Sequence, residues 1–259
     1  MGVIQTGMLS STVLLSVFCA LVIYSIKQNE KGKSNEIRRL PAIDAIEEAV
    51  GRAAEMGKPI HFSTGMGKLL NSDSPQTFAA LNILDYTAHE AAKVDVPIIY
   101  NCAVAHVLPV VQDIVTTAYK FHGSHLDEEY TFRYVGDDQR ALMASCMGTF
   151  EREKPAANIL VGALYYETVT ISGHAARSDM IQIGGTGRMY NIGYLVAACD
   201  YVLIAEELFA VGAYISKNPS EVGGIRGQDL CKLFVIGTTL VTLLLNSIGI
   251  DVLARLLEL

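Results

Sequence analysis

Apolar residues run unbroken at two places and recur with a short period between them. The first 26 residues hold no Asp, Glu, Lys or Arg, and Met8 to Ile26 reads MLSSTVLLSVFCALVIYSI. A helix needs roughly 20 such residues to cross a bilayer core of about 30 Å, and this run has 19. A second charge-free run, Leu233 to Ile250, reads LFVIGTTLVTLLLNSIGI. Between the two runs the pattern alternates. Residues 42–56 place Ile43, Ile46, Val50, Ala53 and Ala54 on one helical face, and Gly57 stops the helix. A strand follows over 59–63. Ser74 and Pro75 open a helix to Lys93, since Ser caps and Pro suits the first turn. Strands are then predicted at 96–101, 131–135 and 158–163, with one helix over 105–121 and another, capped by Asp137 or Asp138, running to Glu153. Residues 165–177 read as helix, although Glu167 to Ser172 and Asp179 to Gly184 also suit a β-hairpin. Strands at 180–184 and 201–205 and helices over 189–199 and 206–216 complete the series.

Short apolar strands separated by helices imply a parallel sheet covered on both faces. The expected fold is α/β: a doubly wound parallel sheet, a Rossmann-like three-layer domain, flanked by an N-terminal and a C-terminal transmembrane helix. Three regions follow: an N-terminal anchor and basic linker over 1–39, the α/β domain over 40–229, and a C-terminal membrane helix and short tail over 230–259. Composition agrees with this layout. The chain of 259 residues is 51% apolar and 18% charged, against about a quarter charged in an ordinary soluble domain. Membrane runs and a doubly covered sheet both lower that fraction. Five Cys, an odd and scattered number, exclude a small disulfide scaffold.

The basic residues Lys27, Lys31, Lys33, Arg38 and Arg39 follow the first run, which suits a retained anchor better than a cleaved signal. Lys217, Arg226 and Lys232 precede the second. By the positive-inside rule the central block is cytoplasmic and the protein a two-pass protein of the cell membrane. The tail 251–259 extends the second helix or lies along the interface. Thr12, Ser16 and Ala20, and likewise Thr238, Thr242 and Asn246, repeat at i, i+4, i+8. Small and hydroxyl side chains at that spacing suit helix packing, within the chain or between chains. Ser and Thr also bond their own backbone.

Residues 40–229 carry 13 basic against 23 acidic residues and no basic patch, which speaks against nucleic acid. Ligands of open α/β sheets bind beyond the carboxyl ends of the strands. Two glycine loops fall there. Thr64, Gly65 and Gly67 follow the first strand, and Gly185, Thr186, Gly187 and Arg188 follow the fifth. Free N–H groups at a helix start suit an anion, and Arg188 offers a bidentate partner. The spacing matches neither the P-loop nor the dinucleotide fingerprint, and tight turns need Gly as well. Glu206 follows the sixth strand, where a carboxylate also stabilises a helix start. Cys102 with His106 forms a bare Cys–His pair without a third orienting residue. His122 and His125 sit in a polar loop, and no Cys pair has zinc spacing. No metal is indicated, and the sequence leaves any cofactor open.

Three stretches stand out as whole phrases: RRLPAIDAIEEAVGRAAEMGKPIHF (38–62), CDYVLIAEELFAVGAYIS (199–216) and GQDLCK (227–232). They resemble an uncharacterised family of prokaryotic membrane-anchored proteins, a domain of unknown function. The resemblance covers about 38–232 and implies the same plan of membrane helix, α/β domain and C-terminal membrane segment. It brings no activity or site residue. The expected function is a self-associating scaffold or ligand-sensing module at the bilayer, a homo-oligomer or part of a membrane-protein complex, with a small-molecule ligand possible. The alternatives are an enzyme acting on a small phosphorylated or nucleotide ligand, and an oligomeric pore or transport accessory subunit lined by Asn246.

Overall fold

Strand and helix alternate as the hydrophobic periods require. A computed structural model of the chain describes residues 9–31, 39–216 and 218–247. In chain order the elements are α1 (Leu9–Glu30), α2 (Pro41–Met56), β1 (Ile60–Gly65), α3 (Ser74–Lys93), β2 (Ile98–Cys102), α4 (Leu108–His122), α5 (Glu128–Thr131) and β3 (Phe132–Tyr134). Then come α6 (Gln139–Glu153), β4 (Ala157–Ala163), α7 (Glu167–Ala175), β5 (Ile181–Thr186), α8 (Met189–Ala198), β6 (Tyr201–Ile204), α9 (Glu206–Ser216) and α10 (Pro219–Ser247). Two units result: α1 with α10, and the α/β unit of 39–215.

In the α/β unit six parallel strands run in the order β3-β2-β1-β4-β5-β6. Ile60, Phe62, Tyr100, Ile159 and Ile183 point to one face, where α2, α3, α4 and α9 close the larger core. Phe62 and Tyr100 stack there at 6.1 Å. Leu160 points to the other face, under Leu142 and Phe150 of α6, Ile171 of α7 and Leu195 of α8. The sheet is thus covered on both sides. Helix ends follow local chemistry. Gly57 ends α2 in the left-handed region at φ 61, which costs glycine least. The Asp138 carboxylate accepts from Arg140 N at 2.7 Å and caps α6.

Residues 167–175 are helical, as the alternation implies despite their β-branched residues, and the hairpin alternative over 167–172 and 179–184 is not formed. Two expectations change. The short α5, capped by Asp127, precedes β3 and was not expected. The C-terminal helix begins at Pro219, well before the apolar run at Leu233.

In the helical unit α1 and α10 run antiparallel in contact. A Cβ on Gly223 would stand 2.7 Å from Ile26 Cα, and one on Gly227 would stand 2.8 Å from Val22 Cα. Phe18 and Phe234 meet edge to face at 6.2 Å. Glycines one helical turn apart let two backbones approach. The contact within the chain therefore rests on Gly223 and Gly227. The Ser16, Thr238 and Thr242 hydroxyls donate to carbonyls of their own helices, those of Thr12, Phe234 and Thr238. Ala20 is exposed, as is the backbone-bonded Ser16. The side chain of Asn246 and the tail 251–259 lie outside the described residues. Both α1 and α10 are long and apolar enough to cross a membrane.

Candidate functional site

The strand order reverses between β1 and β4, so the loops that follow these strands flank the switch point where open α/β sheets take ligands. The polypeptide fills much of that crevice itself. Thr64 is buried and its Oγ1 lies 2.6 Å from the Tyr100 hydroxyl. Gly65, at φ +65, lies so close to the β4 loop that a Cβ would stand 2.6 Å from Leu164 Cδ2 and 3.1 Å from Glu167 Oε1. A Cβ on Gly67 would strike the Thr77 hydroxyl. These glycines let one loop lie on another.

The second glycine loop is shorter than expected. β5 continues through Thr186, because Gly184 and Gly185 keep their pairing with Val202 and Leu203 of β6. Gly185 is therefore a strand residue, its missing side chain facing Leu203 and Val161. Gly187 N donates to Gln76 Oε1 at 3.1 Å, and the Thr186 hydroxyl donates to the same oxygen at 3.4 Å. Glu206 opens α9 on the surface, and its neighbour Glu207 accepts from Ile204 N at 3.1 Å.

Arg188 gathers the crevice together. Its Nη2 donates to Asp73 Oδ1, and also to the Tyr165 hydroxyl at 2.7 Å. Its Nη1 donates to the Tyr190 hydroxyl at 3.0 Å, and its guanidinium carbon lies 3.9 Å over the Tyr165 ring. Tyr165 in turn donates to Asp73 Oδ2 at 2.7 Å. Burial, then the bond to Asp73, pushes the Tyr165 phenol up to about 12. The Asp73 side chain is 3% exposed. Residues after β1, β4 and β5 are thus stitched over the switch point by one neutralised cation. An anion arriving here would have to take Arg188 from Asp73.

Beneath the cluster Glu167 is fully buried. Its carboxylate accepts from Tyr165 N at 3.0 Å and from Gln139 Nε2. Burial raises its pKa. Asn191 Nδ2 donates to the carbonyls of Leu164 and Tyr165 at 2.6 and 3.0 Å and pins the same loop. Asp73, Gln76, Tyr165 and Glu167 were not expected from the sequence. Reading 165–177 as helix hides the loop at 164–166, and taking Ser74 as the cap hides Asp73. Asp73 precedes the first helical residue, but its side chain turns to Arg188 instead of capping α3.

The remaining candidates are placed elsewhere. Burial pushes the Cys102 thiol up to about 11, and it donates to Val104 O. His106 accepts from Leu69 N at 3.1 Å instead of meeting that sulfur. His122 Nε2 lies 3.1 Å from His89 Nδ1. Among the described residues no three His, Cys, Asp or Glu side chains converge as metal ligands.

A polar row crosses the covered face of α6–α8. His61, Asn158 and Gln182 are cross-strand neighbours on β1, β4 and β5. His61 Nδ1 lies 2.8 Å from Asn158 Oδ1, Asn158 Nδ2 donates to Gln182 Oε1 at 3.5 Å, and Gln182 Nε2 donates to Ala198 O at 2.7 Å. The direction of this chain puts the His61 proton on Nδ1. Burial holds its pKa down at about 4, against 6.5 ordinarily. The unfolded chain therefore takes up this proton at higher pH than the native one. The stability linked to His61 is complete above about pH 6.5 and falls by about 3 kcal/mol down to pH 4. Melting of the chain and of His61→Gln across that window should give a steeper loss for the wild type. Parallel curves would show that His61 does not titrate this way.

A family model with the description Domain of unknown function (DUF6754) matches residues 2–257. No curated protein and no solved structure matches the chain.

Proposed function

The chain belongs to the DUF6754 family, and from that premise we propose that it is a membrane-anchored α/β scaffold or ligand-sensing module that self-associates. The observation that carries this reading is the crevice at the switch point. Asp73, Tyr165 and Arg188 close it with their own charges and hydrogen bonds. A pocket preformed for a phosphate would leave Arg188 and the loop N–H groups facing the ligand. Here Gln76 takes the Gly187 N–H and Asp73 takes Arg188.

α1 and α10 serve as the anchor, with the α/β unit on the cytoplasmic side as the basic flanks indicate. In the antiparallel register, α10 residues 223–232 run beside α1 residues 18–26.

One observation favours the enzyme reading. Glu167 is a buried carboxyl with a raised pKa at the switch point, and such groups gather at active sites. Thermal melting of the full chain in mild detergent with ATP, GTP, NAD or inorganic phosphate separates the two. A pure scaffold expects shifts within about 1 °C. A shift of several degrees with any one of them, roughly 1–2 kcal/mol of linkage, would establish a ligand site, and turnover of that ligand would then favour the enzyme over the sensor.

A further inference from the structure

The surface of α8 is unlike that of the other helices in the α/β unit. From Met189 to Cys199 it carries no charged residue. Asn191 and Leu195 hold its inner side in the fold. Its outer side shows Met189, Tyr190, Tyr194 and Val196, exposed by 76, 59, 51 and 56%. Tyr190, Gly193, Tyr194 and Ala197 lie along one stripe at i, i+3, i+4, i+7. Phe209 of α9, exposed by 46%, extends the surface past the start of α8. Its ring would stand 3.2 Å from a Cβ on Gly187.

We propose that this face of α8 is the contact through which two copies of the chain associate, around a two-fold axis that sets α8 against α8. The inference rests on the self-association proposed above and names its surface. Three arguments choose a second copy as the occupant. First, residues 40–229 carry 13 basic and 23 acidic residues, so like charge opposes contact between two copies elsewhere on this surface and confines it to a charge-free face such as that of α8. Second, the exposed side chains of α8 with Phe209 present roughly 600 Å², close to the ~800 Å² per partner of a stable interface. Third, Tyr, Met and Phe without charge is the composition of an interface core, and a two-fold contact uses the same patch twice. A helix lying on a bilayer usually carries Lys or Arg along its polar flank. α8 has none, and the Arg188 that precedes it is held by Asp73.

The test uses the full chain in mild detergent, sized by mass photometry and by light scattering over a concentration series. The wild type is expected to dimerise, and Tyr194→Glu to raise the dimer dissociation constant at least tenfold with an unchanged melting curve. Gly193→Cys gives a second measurement, because nothing lies within 4 Å of a Cβ there and the fold accepts it. With Cys19, Cys199 and Cys231 replaced by serine, which leaves only the buried Cys102 and Cys146, mild oxidation should crosslink Gly193→Cys into a dimer, and the same background without it should stay uncrosslinked. If Tyr194→Glu dimerises like the wild type, the contact lies elsewhere: this inference falls and self-association stands. A wild type that is monomeric throughout removes both. If Gly193→Cys resists crosslinking, and a fluorophore on it is quenched by spin-labelled lipid in proteoliposomes, the face lies on the bilayer and the dimer is overturned.

Discussion

Replacing Arg188 with methionine is expected to destabilise the α/β unit by about 3 kcal/mol, the usual effect of leaving one member of a buried ion pair alone. Asp73 is 3% exposed on its side chain and Arg188 is 21% exposed. The carboxylate thus stays out of water after its partner is gone, and Tyr165 and Asn71 are its remaining donors. For a unit of this size the midpoint should fall by roughly 6–12 °C. Arg188→Met combined with Asp73→Asn should recover much of the loss, since an uncharged amide needs no counter-ion. The interaction energy from the four proteins should exceed about 1 kcal/mol. Additive losses would show that the pair does not act as a unit. The same cycle bears on function. If Asp73 guards Arg188 from anions, Asp73→Asn should bind phosphate more tightly than the wild type. If the crevice is purely structural, it should not.

What the sequence made legible was governed by local physics. The period of Ile43, Ile46, Val50 and Ala53 with the stop at Gly57 locates α2 within a residue of its bounds. Six apolar segments between helices imply the parallel sheet, and Asp137 or Asp138 marks the start of α6, where Asp138 is the one that caps. What stayed hidden was non-local. Asp73 and Arg188 are 115 positions apart and meet through the strand order. His61 sits inside an apolar strand, and nothing in that strand shows that Asn158 and Gln182 stand beside it in register. Hydropathy locates the C-terminal helix only from Leu233. Gly223 and Gly227, which look like a loop in the sequence, approach the α1 backbone, and Phe234 adds a ring contact with Phe18. Gly65, Gly67 and Gly187 read in sequence as ligand loops or as flexible or tight turns, and a Cβ at each would meet another part of the chain, a packing relation that only the strand order creates.

Gly162→Ala is expected to have the larger effect, about 4 kcal/mol or more, from a single methyl group. Gly162 has φ +130, a region that side chains rarely enter and that alone costs of order 1–3 kcal/mol. The added Cβ would also stand 2.9 Å from Thr64 O and 3.3 Å from Ala80 Cβ. A carbonyl oxygen in β1 cannot swing aside as a flexible side chain would. The reason for the conformation lies in the pairing of β1 with β4. Ser63 pairs with Leu160 and Gly65 with Ala163, so Val161 and Gly162 stand opposite Thr64 alone. That extra residue is a bulge, and bulges re-aim a strand at its end. Here it brings Leu164 over Gly65 and sets the loop that carries Tyr165 toward Asp73. The variant should therefore lose stability and, in whatever remains folded, loosen the Arg188 cluster. Gly51→Ala is the control, because Gly51 lies in α2 with nothing within 4 Å of a Cβ. It should be neutral or more stable by up to about 1 kcal/mol. Circular dichroism melts of the two variants against the wild type decide the matter. A Gly162→Ala midpoint within about 3 °C of the wild type would mean that the bulge is not needed to bring the two loops together.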